Sequence, residues 1–187
     1  PAPTPRDGLQ FRYLQSSGYV RAFGRNAVLF ADIGPIGPDY LPAHAHADSL
    51  GFELSLFAQR CIVDAGVSTY DATPERQFER GTLAHNTIAV EGQNSSEVWA
   101  SFRVARRARV RKAAVDCSGD AVIISAEHDG YMRLPGRVTH KRTWSLSEQQ
   151  LIIRDTLSGE WTTSQGSFLL HPQLQVEQEG PIVICRF

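Results

Sequence analysis

Short apolar runs separated by turn-forming residues dominate the chain, and most of them alternate between apolar and polar positions. Alternation over about four to eight residues is typical of a half-buried β-strand. Gly24-Arg25-Asn26 separates two such runs and predicts a hairpin turn, whereas the proline-containing stretch 34–39 is incompatible with a central strand. The predicted strands span residues 19–23, 27–33, 50–57, 60–64, 86–91, 104–112, 121–127, 137–146, 150–157, 166–171 and 181–187.

The only clear helix signal lies in residues 73–80. Thr73 can cap the first turn, Pro74 suits the first helical position, and Gly81 follows as a stop. Many short strands with one or two helical turns predict an all-β fold, namely an antiparallel β-sandwich of jelly-roll or supersandwich type. A length of 187 residues suits one domain, so we expect residues 1–187 to form a single β-sandwich.

The composition argues against several classes of partner and of structural site for this domain. The formal net charge of −1 argues against a dedicated nucleic-acid binder, and no apolar stretch approaches the roughly 20 residues that span a bilayer. The three cysteines, Cys61, Cys117 and Cys185, are too few and too scattered for a disulfide framework or a cysteine zinc site. Cys61 lies in an apolar run and is expected to be a small buried residue.

The two ends of the chain indicate a longer parent protein. Residues 1–8 contain three prolines, show no signal-peptide pattern and are typical of a linker or a cut end. The last residues, 181–187, stop inside a predicted strand. We therefore expect a fragment of a larger protein, whose export signal would lie outside this sequence.

Four residues form the most informative pattern: His44 and His46 one residue apart, then Asp64, then His85. If the first stretch is extended, His44 and His46 point to the same face, because side chains alternate along a strand. Two neutral imidazoles and a carboxylate suit zinc better than calcium or magnesium. His46, Asp64 and His85 are therefore candidate zinc ligands, and His44 either contacts the same ion or projects into a cleft.

A structural interpretation stays open for each of these residues. His46 and His85 can simply be buried histidines that hydrogen-bond to Asp64, and His44 an exposed loop residue. Tyr70 is a candidate acid or base, although such a tyrosine more often packs its ring. The alternating Arg107, Arg109 and Arg111 are compatible with an anion-binding strand face or with a solvated outer face.

Several motifs, in their order and spacing, resemble the heparinase II/III-like family of polysaccharide lyases. The match covers most of residues 40–172. It is carried by the segments 44–52 (HAHADSLGF), 62–66 (IVDAG), 80–88 (RGTLAHNTI) and 128–131 (HDGY), and by the later segments 142–144, 153–155 and 168–172.

The resemblance implies a β-sandwich that follows an N-terminal α/α toroid, cleavage of uronate-containing polysaccharide by β-elimination, and a periplasmic or secreted location. It implies a zinc site at His46, Asp64 and His85, a catalytic histidine at His44, and a cleft tyrosine near Tyr70. The main catalytic tyrosine and the group that neutralises the uronate carboxylate belong to the toroid in this family. We therefore expect the parent protein to be a lyase and this chain to be inactive alone.

The sequence leaves the substrate and two other functions open. Glycosaminoglycans, alginate and bacterial exopolysaccharides are all compatible acidic polymers. A cupin-like enzyme that binds iron or manganese also uses a His-x-His pair, although Glu53 lies at the wrong spacing to complete its ligand set. A non-catalytic carbohydrate-binding module would contain the same histidines as packed residues and would bind no metal.

Overall fold

The computed structural model describes residues 8–186, and most of them lie in or between two antiparallel sheets. The first sheet has sequential strands β1 (Gln10–Leu14), β2 (Tyr19–Phe23), β3 (Ala27–Asp32), β4 (Phe52–Leu56) and β5 (Gln59–Ile62). Three short strands follow: β6 (Ile88–Val90), β7 (Val98–Trp99) and β8 (Arg103–Val104). The second sheet contains β9 (Val110–Ser118), β10 (Ala121–His128), β11 (Thr139–Ser147) and β12 (Leu151–Ser158), again as neighbours in chain order.

Three further strands complete the described fold. Strand β13 (Ser164–Gly166) pairs with β6, and β14 (Gln175–Glu179) pairs with β15 (Ile182–Arg186), while β7 pairs with β8. The described strands form open sheets, so the all-β sandwich predicted from the sequence is confirmed. Within residues 8–186, no helix has the length and apolar character needed to cross a bilayer.

The core lies between the two large sheets because each presents one apolar face to the other. Alternate residues of β2, β10 and β11 are buried, as expected for strands with one solvent face. Trp144 is fully buried at the centre of the second sheet, opposite Ile124 in the register and in edge contact with Phe52 of the first sheet. The buried core residues are Val20, Ala22, Leu29, Ala31, Ile33, Leu50, Phe52, Leu54, Val122, Ile124, Ala126, Trp144 and Leu146.

Strand prediction succeeded where one face is buried and failed where pairing is local or interrupted. The predicted strand at 104–112 is wrong across 105–109, which lie outside any strand and separate β8 from β9. The predicted strand at 166–171 is mostly wrong, since β13 ends at Gly166. Strands β1, β7 and β14 were missed, and β14 is exposed throughout, so it carries no burial alternation. The linker predicted at the N-terminus falls mainly on residues 1–7, outside the described range.

The predicted helix is present as α1 (Pro74–Glu79). The Thr73 side chain accepts a hydrogen bond from the Arg76 backbone N–H, and Pro74 occupies the first turn. One-turn 3₁₀ helices follow at Thr82–Ala84 and Gly130–Arg133. Two long connections thus leave the first sheet: residues 33–51 between β3 and β4, and residues 63–87 between β5 and β6.

A buried polar network links the second sheet to the connection of residues 63–87, because Arg142 donates to the Asn86 carbonyl. Asp155 accepts two hydrogen bonds from Arg142, at 2.7 and 2.9 Å, and one from His140 at 2.6 Å. His140 in turn contacts His128, with 3.2 Å between ring nitrogens. Burial raises the pKa of Asp155, but the hydrogen bonds from His140 and Arg142 outweigh it and lower the pKa to about 2.

We predict that Asp155→Asn destabilises the domain by about 3 kcal/mol at pH 7, because it leaves the buried Arg142 guanidinium without its anion. The folded-state pKa lies below the value of about 4 expected for the unfolded chain. The stabilisation is therefore complete above pH 4 and is lost as the pH falls towards 2.

Urea unfolding at several pH values measures this effect. The wild-type free energy of unfolding should fall below pH 4, and the difference between wild type and Asp155→Asn should shrink there. Asp120→Asn, at an exposed turn position, serves as the control with unchanged stability. Equal free energies of unfolding for Asp155→Asn and wild type at pH 7 would show that the Arg142–Asp155 ion pair does not stabilise the domain.

Candidate metal and catalytic centre

The His-x-His segment lies in an irregular loop, which corrects the expectation that it is extended. The turn of residues 42–45 includes His44, with the Ala45 N–H donating to the Pro42 carbonyl at 3.0 Å. As a result His44 is exposed and His46 is buried, so the two rings do not share a face. The structure therefore places His44 towards solvent and only His46 towards Asp64 and His85.

His46, His85 and Asp64 form a linear chain of side-chain contacts. His46 Nδ1 lies 3.3 Å from His85 Nε2. The other nitrogen of His85, Nδ1, lies 2.7 Å from Asp64 Oδ2. Asp64 and His46 thus contact opposite sides of the His85 ring, and the three residues predicted together from the sequence are brought together.

A fourth residue, Arg76, begins this chain and fixes the direction of its hydrogen bonds. Arg76 Nη1 lies 3.0 Å from His46 Nε2. A guanidinium can only donate, so His46 Nε2 accepts and, in the neutral ring, Nδ1 carries the proton. His46 then donates to His85 Nε2, and His85 Nδ1 donates to Asp64. These tautomers follow from the partners, and every ring nitrogen has one.

The pKa shifts agree with a neutral His46 beside Arg76 and an ionised Asp64 beside His85. Burial, then the neighbouring His85 and Arg76, lowers the pKa of His46 to about 4. Burial raises the pKa of Asp64, but the hydrogen bond and charge of His85, the Gly66 N–H and His46 together outweigh it, so the net shift of the pKa is downward. Burial lowers the pKa of His85, but Asp64 and Asp48 together raise it above its ordinary value.

The metal prediction fits part of this geometry. Two nitrogens bound to one tetrahedral zinc ion at 2.0–2.1 Å lie about 3.3 Å apart. The facing nitrogens of His46 and His85 have that separation. Asp64 touches the far side of His85, and among residues 8–186 no group of three or more His, Cys, Asp or Glu side chains is arranged to hold a metal ion. The histidine nitrogens thus have the separation of two zinc ligands, whereas the predicted three-ligand set is not assembled among residues 8–186.

His44 belongs to a second, exposed group of rings beside this chain. Its imidazole makes edge contacts with Tyr70 and Phe102, with centroids 5.4 and 5.7 Å apart, and those two rings stack at 6.0 Å. Tyr70 is 53% exposed and Phe102 44% exposed. Tyr70 also covers Arg76, whose guanidinium carbon lies 5.4 Å from the ring centroid. Arg76 and Tyr70 therefore connect the exposed rings to the buried chain.

Arg80 holds the His-x-His loop against the hairpin that carries Phe102. Its fully buried guanidinium donates to the Ala45 carbonyl from Nε and Nη2, and to the carbonyls of Trp99, Ala100 and Arg103. The backbone on either side of His46 is thereby fixed, because the Ala47 N–H also donates to the Arg80 carbonyl at 2.8 Å.

Asn86 places Asp64 next to His85. Its side-chain amide donates to the carbonyls of Phe52 in β4 and of Val63, the residue before Asp64. Arg142 donates to the Asn86 carbonyl and to the Leu50 carbonyl, which joins the site to the buried Asp155 network. Four further residues of the site were not predicted from the sequence: Arg76, Arg80, Asn86 and Phe102. The signal that pointed to two of them is the pair of arginines four residues apart at the one predicted helix.

The arginine-rich segment is mostly held in ion pairs. Arg107 pairs with Asp39, Arg111 with Asp129, and Arg106 with Glu97. A cavity of about 410 Å³ opens beside this segment. Five arginines line it, against two acidic residues: Arg106, Arg107, Arg109, Arg111 and Arg133, with Glu127 and Asp129.

Solved structures with a similar fold include a heparan sulfate lyase and two heparinase III structures. A heparan sulfate lyase, HepC from Pedobacter heparinus, matches with a TM-score of 0.61 and 20% identity over 80% of this chain and 22% of its own. A heparinase III matches with a TM-score of 0.70 and 18% identity, over 94% of this chain and 27% of its own. A further heparinase III has a TM-score of 0.63. At these identities the likeness shows the fold alone.

These relatives are much longer than the chain, which spans about a quarter of their length. No curated protein matches the sequence. The family model described as heparinase II/III-like, C-terminal, matches residues 6–184, which include His44, His46, Asp64, Tyr70 and His85. The chain therefore belongs to the heparinase II/III-like family, as a C-terminal domain of that family.

Proposed function

We propose that this domain forms one wall of the active site of a polysaccharide lyase that cleaves uronate-containing polymers by β-elimination. The observation that carries the proposal is the exposed His44–Tyr70 ring pair, which lies directly beside the buried chain of His46, His85 and Asp64. Membership of the heparinase II/III-like family supports the reaction class.

In such an elimination a base removes the proton at C5 of the uronate, and the C4–oxygen bond breaks as the leaving oxygen takes up a proton. His44 is exposed and can exchange a proton with a bound sugar. Tyr70 places its ring against His44 and is half exposed, so its hydroxyl can serve as the second proton-transfer group. His44 and Tyr70 are therefore the proposed catalytic residues of this domain.

Zinc is the proposed cofactor. His46 and His85 would provide the two nitrogen ligands, and Asp64 would supply the negative charge and fix the orientation of His85. The bound ion would brace the loop that carries His44. A cupin-like alternative finds no support, because the Glu53 carboxylate is paired with Arg60 at 2.7 Å on the exposed part of the first sheet.

An acidic polysaccharide is the proposed partner, whether a glycosaminoglycan, alginate or an exopolysaccharide. The arginine-lined cavity supports this, since guanidinium groups bind carboxylates and sulfates. An α/α toroid of the same polypeptide is the second proposed partner, because the resemblance assigns the remaining catalytic groups to it. We also propose a periplasmic or secreted location, as for enzymes that meet extracellular polymers.

We predict that the purified chain binds one zinc ion and that His46→Ala abolishes this binding. Asp64→Asn should lower zinc affinity by about 10- to 100-fold, because His85 loses the carboxylate that orients it. Elemental analysis after dialysis and competition with a chromophoric chelator measure both effects. His171→Ala is the control with unchanged zinc, because the His171 ring accepts from the Gln173 N–H and takes no part in the proposed site. A wild type without zinc, or His46→Ala with full zinc, would refute the assignment.

We predict that residues 1–187 alone release no unsaturated product from heparan sulfate, alginate or other uronate polymers. The resemblance places the carboxylate-neutralising group and the main tyrosine on a toroid, and the described residues contain only short helices. The ultraviolet absorbance of the unsaturated uronate measures turnover. Sustained product formation by this chain would contradict the division of catalytic groups.

A third prediction concerns the domain joined to a catalytically competent toroid. There His44→Ala should lower kcat by about 100-fold, since one positioned proton-transfer group is lost, while zinc content stays unchanged. His171→Ala is again the matched control. An unchanged kcat in His44→Ala would remove His44 from the mechanism.

A further inference from the structure

Two adjoining cavities, of about 410 and 790 Å³, share one wall of arginine side chains. Arg106, Arg107 and Arg109, from the segment between β8 and β9, line both cavities. Residues 33–37 line the second cavity on its other side and include Ile33, Pro35 and Ile36. The two cavities together are called the arginine groove, and it combines a cationic wall with a largely apolar one.

The arginine groove carries more positive than negative charge. Six cationic side chains line or border it, and among residues 8–186 four carboxylates form ion pairs with them. The cations are Arg106, Arg107, Arg109, Arg111, Lys112 and Arg133, and the carboxylates are Asp39, Glu97, Glu127 and Asp129. Two positive charges therefore have no carboxylate of their own in the described part of the chain.

Arg109 is the cation of the arginine groove whose side chain is unused. It is exposed, and in residues 8–186 no ion pair or hydrogen bond holds its guanidinium. Its backbone is fixed, because the Arg109 N–H donates to Asp129 Oδ1 at 2.8 Å. A guanidinium presents several N–H groups in a fork that matches a carboxylate or a sulfate. Arg109 therefore offers an anion-binding group from an ordered position.

Arg107 shows how the protein itself fills a second such position. Its Nη1 donates to Asp39 Oδ1 at 2.8 Å and its Nη2 to the Asp39 carbonyl at 3.2 Å. The Asp39 side chain is fully exposed, whereas that of Arg107 is 25% exposed. An ion pair with an exposed partner contributes little stability, so another anion can replace the Asp39 carboxylate at small cost. The Asp39 carboxylate thus marks a place where a ligand anion fits.

The arginine groove borders the loop that carries His44. Asp39 and His44 both lie in the connection of residues 33–51. Gly37, which lines the second cavity, packs against Ala45, since a Cβ at Gly37 would lie 3.8 Å from the Ala45 Cβ. A polymer bound in the arginine groove is therefore anchored on the same loop as the proposed proton-transfer histidine.

We infer that the arginine groove binds a stretch of anionic oligosaccharide, with one acidic group on Arg109 and another on Arg107 in place of the Asp39 carboxylate. This inference rests on the acidic polysaccharide proposed above and assigns the residues that hold it. The apolar wall of residues 33–36 fits the C–H face of a sugar ring. The formal net charge of −1 disfavours a nucleic acid as the occupant.

Binding of labelled oligosaccharides to the purified chain tests the inference. The probes are end-labelled hexasaccharides of heparan sulfate and of alginate, and fluorescence anisotropy at constant pH and ionic strength gives the dissociation constants. Arg109→Gln should weaken binding by about tenfold, because one charged hydrogen-bonding group is lost. Arg154→Gln is the matched control with unchanged affinity, since Arg154 is an exposed arginine of β12 that lines neither cavity.

A second variant should change the affinity in the opposite direction. Asp39→Asn removes the carboxylate that competes with the ligand for Arg107, so binding should tighten several-fold. Asp120→Asn, at an exposed turn position, removes the same charge elsewhere and should leave the affinity unchanged. Circular dichroism confirms folding, and Asp39→Asn decides the matter if Arg109→Gln misfolds.

The remaining outcomes are distinct from those of the proposed function. Binding of both hexasaccharides supports a groove that accepts carboxylates, and binding of the heparan sulfate probe alone supports one that requires sulfate. No binding of either probe would overturn the inference, as would equal losses in Arg109→Gln and Arg154→Gln. Equal affinity for uncharged maltohexaose or for a single-stranded oligonucleotide would also overturn it. None of these failures affects the kcat expected for His44→Ala, which is measured in the domain joined to a toroid.

Discussion

The directional hydrogen-bond chain from Arg76 through His46 and His85 to Asp64 is the constraint on which the site depends. Each imidazole has one acceptor and one donor nitrogen when neutral, so fixing one end of the chain fixes every tautomer along it. Arg76 fixes that end, since it can only donate. The chain runs from a buried cation to a carboxylate, and the His46 ring beside the cation stays neutral.

The loops that carry this chain are ordered by buried side chains that bind backbone carbonyls. Irregular loops leave backbone groups without ladder partners, and buried groups of that kind must find side-chain partners. Arg80 serves the His-x-His loop and Asn86 serves the segment before Asp64. Arg142 extends the network to Asp155 and so ties the site to the second sheet. The sandwich thus supports the two loops that carry the candidate site residues.

The sequence predicted the sheet layers well because burial on one face imposes alternation, as in β2, β10 and β11. It predicted which residues meet at the site, since His85 contacts both His46 and Asp64. It did not predict the order of the three residues in the chain of contacts. It also did not predict that His44 and His46 face apart, because a turn that begins at Pro42 breaks the extended geometry. Arg76 was missed because a helical arginine usually lies on a solvated face, and only tertiary packing buries this one.

The domain contains a second chain of contacts with the same composition. His128, His140 and Asp155 repeat the pattern of two histidines and a carboxylate, but there a backbone N–H, that of Gly130, begins the chain. In both chains a group that can only donate stands at one end and a carboxylate at the other.

The position of the proton on the His46 ring decides the direction of the hydrogen-bond chain. Nitrogen-15 chemical shifts of the imidazoles distinguish a protonated ring nitrogen from an unprotonated one. In the metal-free domain at neutral pH, the account predicts that His46 carries its proton on Nδ1 and accepts at Nε2 from Arg76. A His46 protonated at Nε2 in the metal-free domain would contradict the hydrogen-bond direction from which the rest was derived.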